Sequence, residues 1–272
     1  MREHPAYRYY VLALLTLTLM FSVADRLVLS ILLQDIKRDF ALSDSQLGLL
    51  AGFAFTLFYV IAGFPMARLA DRANRKSIVA AALGFWSLMT ALSGAAVGFW
   101  SLFLARIGVG MGEGGSGPSS QSLLADYFRP KELPRAMGFL TLGSTIGTAI
   151  GLMAGGLFAS LYGWRMSFIL LGIPGMLLGL LLFATVREPQ RGRYSPGGTD
   201  SATQRPLGAT VRSLLANRAY LGLILGYAVQ IMIGYAIAIW MAPIMLLSFA
   251  LTTLDVGFYL GLAFVLRGIP GP

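Results

Sequence analysis

Seven apolar stretches dominate the chain: Tyr10–Leu33, Leu47–Met66, Ile78–Val97, Ser101–Leu124, Ala136–Leu161, Met166–Val186 and Tyr220–Leu247. A helix rises 1.5 Å per residue and a bilayer's hydrocarbon core is about 30 Å thick, so about 20 apolar residues make one crossing. Lipid offers the backbone no hydrogen-bond partner, and helices satisfy their own. An eighth stretch, Val256–Leu266, has 11 residues before Arg267 and is too short to cross. The chain therefore reads as an all-α, polytopic membrane protein: a six-helix bundle, a seventh helix and a truncated eighth. Charged residues make up only 12% of it, against about a quarter in an ordinary soluble domain.

The net charge of +9 concerns topology. Connections on the side of the N-terminus carry 15 Lys and Arg and those on the other side three; Arg26 and Arg106 lie within apolar stretches, and Arg267 directly follows the eighth. Basic connections stay in the cytoplasm, so the N-terminus is expected to be cytoplasmic. The basic balance is thereby explained without nucleic acid as a partner. Residues 1–24 imitate a secretory signal, with Arg2, Arg8, an apolar run and "SVA". The run resumes beyond Asp25, and removing it would invert every later loop, so they read as the first helix. The chain contains no cysteine, which excludes disulfides and thiolate metal sites; neither a metal nor a cofactor is expected.

The segment from Val186 to Arg218 is long, polar and rich in Gly, Pro, Ser and Arg, which marks a linker. The expected organisation is a six-helix bundle over 1–190, a cytoplasmic central loop over 191–218 without chemistry of its own, and an incomplete second half over 219–272. Two parallel halves of six helices, with a site between them, are one transporter plan. By that arithmetic the chain is a fragment, and it is expected not to transport unless a second polypeptide supplies further helices.

Charges inside the apolar stretches are the candidate site. Asp25 and Arg26 sit within the first, with Thr18, Ser22 and Ser30 recurring at helical spacing. Arg106 and Glu113 sit within the fourth, seven residues and about 10 Å apart on one face, too far to pair with each other. Each such charge costs about 2.5–3.5 kcal/mol at mid-membrane on the insertion scale, and such groups pair or face a cavity. The four are expected to share one cavity.

Glycines crowd the same region. Gly108, Gly110, Gly112, Gly114, Gly115 and Gly117 remove side chains where helices approach, and Pro118 is expected to bend or break the helix near Glu113. Gly143, Gly147, Gly151 and Gly155 recur every four residues in the fifth stretch. "GMGEGG" imitates a dinucleotide-binding loop, but no strand precedes it. "GGSG" imitates an intramembrane serine protease, but a serine nucleophile needs a base, and the only histidine is His4 in the N-terminal tail. No phosphate-binding loop for a nucleoside triphosphate is present. The chain is not expected to be an enzyme.

The loop "ARLADRANRK", residues 67–76, resembles the motif between helices two and three of the major facilitator superfamily. Leu69, Ala70, Asp71, Arg72, Arg75 and Lys76 match; Ala67 and Asn74 replace glycines, and asparagine is expected to keep a left-handed turn at 74. Arg106 stands where the family has an arginine in helix four. "ADRLVLS", "DRANRK", "RIGVGMGEGGSGPSSQSLLADYF" and "WRMSF" together are similar to the spinster-like branch, with "REP" closing helix six and "AIWMAP" in helix seven. Thr148 follows Gly147 where the antiporter motif has proline, so strict drug/proton antiport is not implied.

The resemblance implies alternating-access, proton-coupled secondary transport of a small or amphiphilic, anionic molecule across a bacterial inner membrane. The implied partners are that small-molecule or lipid-like substrate, protons and membrane lipid. Asp25 and Glu113 are the expected proton carriers, with Arg26 and Arg106 tuning them or holding an anionic group. Asp71, Arg72, Arg75 and Lys76 form the expected cytoplasmic gate with Asp126. Asp71 is expected to lack the late-helix partner it has in the family. Tyr227, Gln230, Tyr235 and Trp240 on helix seven are expected to line the cavity. The alternatives are an organic-anion:cation symporter of a neighbouring branch and a non-transporting, receptor-like membrane protein. Residues 1–186 are expected to pack compactly, and Tyr220–Pro272 loosely.

Overall fold

A computed structural model describes residues 5–194, 207–249 and 251–268. Every regular element among them is helical. Helix α1 spans Pro5–Phe40, α2 Asp44–Arg72 and α3 Arg75–Gly94. The fourth pass is split into α4a, Phe99–Glu113, and α4b, Ser116–Tyr127. Helix α5 spans Leu133–Tyr162, α6 Trp164–Thr185, α7 Arg218–Ser248 and α8 Thr253–Gly268. A short helix, Leu207–Ala216, precedes α7 within the expected loop. Among the described residues six of these helices, α1, α2, α3, α5, α6 and α7, are long and apolar enough to cross a membrane; the two halves of the split pass are each too short.

One expectation about the backbone holds and one is corrected. The stretch Ser101–Leu124 is two helices because Pro118 has no N–H to give the Gly114 carbonyl, and the chain turns at Gly114–Gly115. Asn74 is in extended, not left-handed, conformation; it is the N-cap of α3, and its side chain accepts from the Ser77 N–H at 3.1 Å. Between α5 and α6, Gly163 takes a φ of +83° and turns the chain in a single residue.

The ends of the bundle are tied by polar contacts. The Tyr7 hydroxyl donates to the Thr185 carbonyl at 2.8 Å and accepts from the Arg187 N–H at 2.8 Å. Arg8 donates to Glu132 at 2.7 Å. The start of α1, the start of α5 and the end of α6 thus share the end that carries the basic connections, the basic end below. At the opposite end Asp39 accepts from Arg165 at 2.6 Å and from the Trp164 indole at 3.2 Å.

Glycines set how closely the helices pack. A Cβ on Gly143, Gly147 or Gly151 of α5 would lie 2.4–2.7 Å from the carbonyl oxygens of Thr16, Met20 or Ala24 of α1. The glycines of α4a face two ways. Gly110 and Gly114 meet the Phe55 and Tyr59 carbonyls of α2, while Gly108 and Gly112 meet Met89 and Trp86 of α3. Lipid supplies little hydrophobic drive between helices, so such close backbone contact supplies the adhesion. It also holds the charged faces of α1 and α4a in one place.

The expectation that Tyr220–Pro272 packs loosely is half corrected. Helix α7 is exposed over most of its length, as expected, and meets α1 through Ser30 and Ala242. Helix α8 is seated on α5. A Cβ on Gly257 would meet the Leu152 carbonyl oxygen at 2.5 Å, and one on Gly156 the Thr253 carbonyl oxygen at 2.7 Å. Val256 and Gly261 are part of the same contact. Apolar length was the wrong measure for α8: its adhesion comes from small residues, which need few turns.

Candidate functional site

Adjacent helical residues point about 100° apart. Asp25 and Arg26 therefore leave α1 in different directions and take different hydrogen-bond partners, within one buried region that they share with Arg106 and Glu113. Arg26 reaches Glu113 of α4a. Its Nε and Nη2 donate to Glu113 Oε2 at 2.8 and 2.5 Å, and the Ser22 hydroxyl donates to the same oxygen at 2.6 Å. The guanidinium lies over the Phe55 and Tyr59 rings of α2, 4.7 and 5.1 Å from their centroids. Its remaining Nη1 donates to the Tyr235 hydroxyl of α7 at 2.5 Å. One arginine thus touches α2, α4a and α7.

Asp25 points into the bundle. Its Oδ2 accepts from the Thr90 hydroxyl of α3 at 2.9 Å. Arg106 donates through Nη1 to the Asp25 backbone carbonyl at 3.3 Å and lies over the Phe168 ring. Arg106 thus meets the Asp25 backbone and not its carboxylate. The reason is the close packing of α1 on α5 and of α4a on α2 and α3, which fixes both backbones and leaves Arg106 opposite a carbonyl.

Asp25, Arg106 and Glu113 are each at most 2% exposed. Yet Asp25 Oδ1, Glu113 Oε1 and Arg106 Nε and Nη2 have no hydrogen-bond partner. A buried polar atom without a partner costs about 1–3 kcal/mol, more when charged. Four such atoms in one region single it out from the rest of the bundle.

At the basic end the arrangement is different. Arg75, 3% exposed, opens α3 and donates to Asp126 of α4b at 2.6 Å, to Glu188 at 2.7 Å and to the carbonyl and hydroxyl of Ser122 at 3.0 Å. The other Glu188 oxygen accepts from the Lys76 N–H at 2.9 Å, which caps α3. Arg191 donates to the carbonyls of Ala70, Asp71 and Ala73 and so closes the end of α2. The side chain of Asp71 is exposed and takes none of these bonds. Arg72 is exposed, and the Lys76 ammonium donates to the Phe183 carbonyl at 3.2 Å.

Among the helix-seven residues, all four are exposed; Tyr235 meets the central cluster through its hydroxyl, and Tyr227, Gln230 and Trp240 lie elsewhere along α7. Sequence reasoning missed Ser22 and Thr90 as partners of the acids, and Glu188 and Arg191 as partners of the gate. For the last two a signal existed: "REPQR" puts opposite charges directly after a helix end, on the side of the basic loop.

This combination of a helical bundle, paired charges at mid-depth and a clasped loop between α2 and α3 defines a class. The family model of the Major Facilitator Superfamily matches residues 14–271, and the chain belongs to that family. More narrowly, it is similar to a bacterial homologue of the human lysosomal transporter Spinster, solved in an inward-facing and unoccupied conformation. The TM-score is 0.86 at 32% identity, over 97% of this chain and 61% of that one. It is 29% identical to an MFS-type efflux pump of Mycolicibacterium smegmatis, over 99% of this chain and 62% of the relative. To a probable L-galactonate transporter of Escherichia coli it is 32% identical, over 75% of this chain and 47% of the relative. The chain thus spans about half to three-fifths of the length of these relatives.

Proposed function

We propose that the chain serves proton-coupled transport of an anionic small molecule or amphiphile by alternating access, in a bacterial inner membrane with the N-terminus in the cytoplasm. The observation that carries this reading is the pair of wholly buried carboxylates at mid-depth, each with one oxygen unpartnered, beside two arginines. In this reading Asp25 and Glu113 exchange protons, and Arg26 and Arg106 tune that exchange. Arg26 is also the anion's anchor: its Nη1 is held only by a neutral phenol, which a carboxylate or phosphate would displace. Residues 1–190 act as one half, 191–218 as the connecting cytoplasmic loop and 219–272 as the beginning of the second half. Asp71, Arg72, Arg75, Lys76 and Asp126 act at the cytoplasmic gate. The galactonate transporter among the relatives supports a small sugar acid as substrate, and the Spinster homologue supports an amphiphile.

The test is ligand-linked proton exchange by the purified chain in a weakly buffered detergent solution, read with a pH dye. Galactonate and a lysophospholipid are the two probes. Addition of the right probe should change the pH, and Asp25→Asn and Glu113→Gln should each remove the change while the protein remains folded. Undiminished exchange in both variants would overturn the assignment. Which probe elicits exchange decides between the two substrate types.

A further inference from the structure

Pro243 lies inside α7 and has no N–H. The carbonyl four residues earlier, that of Ile239, therefore has no donor within its own helix. In a membrane helix such a carbonyl needs a partner from elsewhere. The Ser30 hydroxyl of α1 donates to it. One turn toward the basic end, Arg26 of α1 donates to Tyr235 of α7. Both contacts join residues 209 apart in sequence, so α1 and α7 run parallel and in register at this level. Ala242 is fully buried, whereas α7 is exposed from Gly222 to Ile237, Tyr235 included.

We infer that Ser30 is the positioning residue that pivots α7 on α1, through the carbonyl that Pro243 frees, and so presents Tyr235 to Arg26. The two contacts differ in kind. The serine contact is made to a backbone atom that has no alternative donor, so it persists. The tyrosine contact is made to a guanidinium that also serves Glu113, so it yields to any anion that takes Nη1. Displacing Tyr235 then leaves α7 tied at the pivot alone and free to swing at its basic end. The pivot stands on the contacts between α1 and α7; its use by an anion rests on the transport reading above.

The chain has no cysteine, so two can be placed at will. Leu17 on α1 and Leu225 on α7 are both partly exposed, and lie 13 and 14 residues toward the basic end from Ser30 and Ile239. That is a lever of about 20 Å. Spin labels at these positions report the swing as a distance distribution by pulsed electron–electron resonance. Ser30→Ala should widen the distribution about twofold on such a lever, and Ser30→Thr, which keeps the hydroxyl, should restore it. In a Pro243→Ala background, residue 243 regains its N–H and Ile239 its own donor, so Ser30→Ala should then have no further effect. Equal widening by Ser30→Ala in both backgrounds, or none in either, would overturn the pivot. Tyr235→Phe should widen the distribution less than Ser30→Ala; the reverse order would place the fixed point at Tyr235 and overturn it as well. If the coupling between Ser30 and Pro243 is found but neither galactonate nor lysophospholipid elicits proton exchange, the pivot stands and the transport reading falls.

Discussion

The two buried charge clusters of this bundle are built from the same residue types and differ in how completely they are satisfied. At the basic end Arg75 meets two carboxylates, one hydroxyl and a backbone carbonyl at 2.6–3.0 Å. At mid-depth Asp25, Glu113 and Arg106 keep atoms without partners, although they are buried just as deeply. A satisfied buried cluster resists any change of its members. An unsatisfied one forfeits fewer contacts when a charge is neutralised. The first reads as a clasp; the second fits the site proposed above.

The largest expected effect tests that contrast directly. Arg75→Leu leaves Asp126 and Glu188 without their cation and should cost about 3–5 kcal/mol of stability. Asp25→Asn keeps the group that accepts from Thr90 and should cost about 1 kcal/mol or less. Unfolding of both variants in detergent by increasing denaturant gives the comparison, and a larger loss for Asp25→Asn would reverse the assignment of clasp and site.

Next come the helix contacts that hold the site. Gly151→Ala would drive a Cβ to 2.7 Å from the Ala24 carbonyl oxygen, directly beside Asp25. Overpacking of this kind costs about 1–3 kcal/mol. Gly138→Ala, where a Cβ meets nothing within 4 Å, is the control and should be neutral or slightly stabilising. Equal melting temperatures for the two variants would show that α5 is not held against α1 in this way.

A smaller effect sharpens the account of the clasp. Asn74→Ala removes the N-cap of α3 and should cost about 1 kcal/mol. Glu188 also caps that helix, by accepting from the Lys76 N–H. Asn74→Ala and Glu188→Gln should therefore prove non-additive in a double-mutant cycle, and strict additivity would separate the two caps.

The smallest effect is a dependence on pH. Arg8 donates to Glu132 at the exposed basic end and holds its carboxyl below the ordinary value of 4.5. A depressed carboxylate adds stability above its unfolded value and loses it as pH falls through its folded value. Stability should thus fall slightly on acidification below about pH 4.5, a value typical of an unfolded glutamate, and Glu132→Gln should flatten that part of the curve. An unchanged acid limb in the variant would assign the dependence to other carboxylates.

Much of this was legible before any coordinates. Apolar runs of bilayer length show helices and their number, because lipid leaves the backbone few alternatives. The charges Asp25, Arg26, Arg106 and Glu113 stood out for the same reason: in oil a charge must pair or face a cavity. Pro118 announced the break in the fourth pass, and the four-residue glycine repeat announced a close contact. The pairing did not follow. That Arg26 takes Glu113, that Arg106 meets a carbonyl rather than the Asp25 carboxylate, and that Glu188 and Arg191 clasp the loop between α2 and α3 all depend on which helices adjoin. Sequence periodicity shows which face of a helix is polar, and says nothing about what stands opposite. The seat of α8 on α5 and the rescue of the Ile239 carbonyl by Ser30 belong to the same category. A helix carries its own length, faces and orphaned groups in its sequence, but its partners are set by close packing between segments far apart in the chain, and only the tertiary structure holds that information.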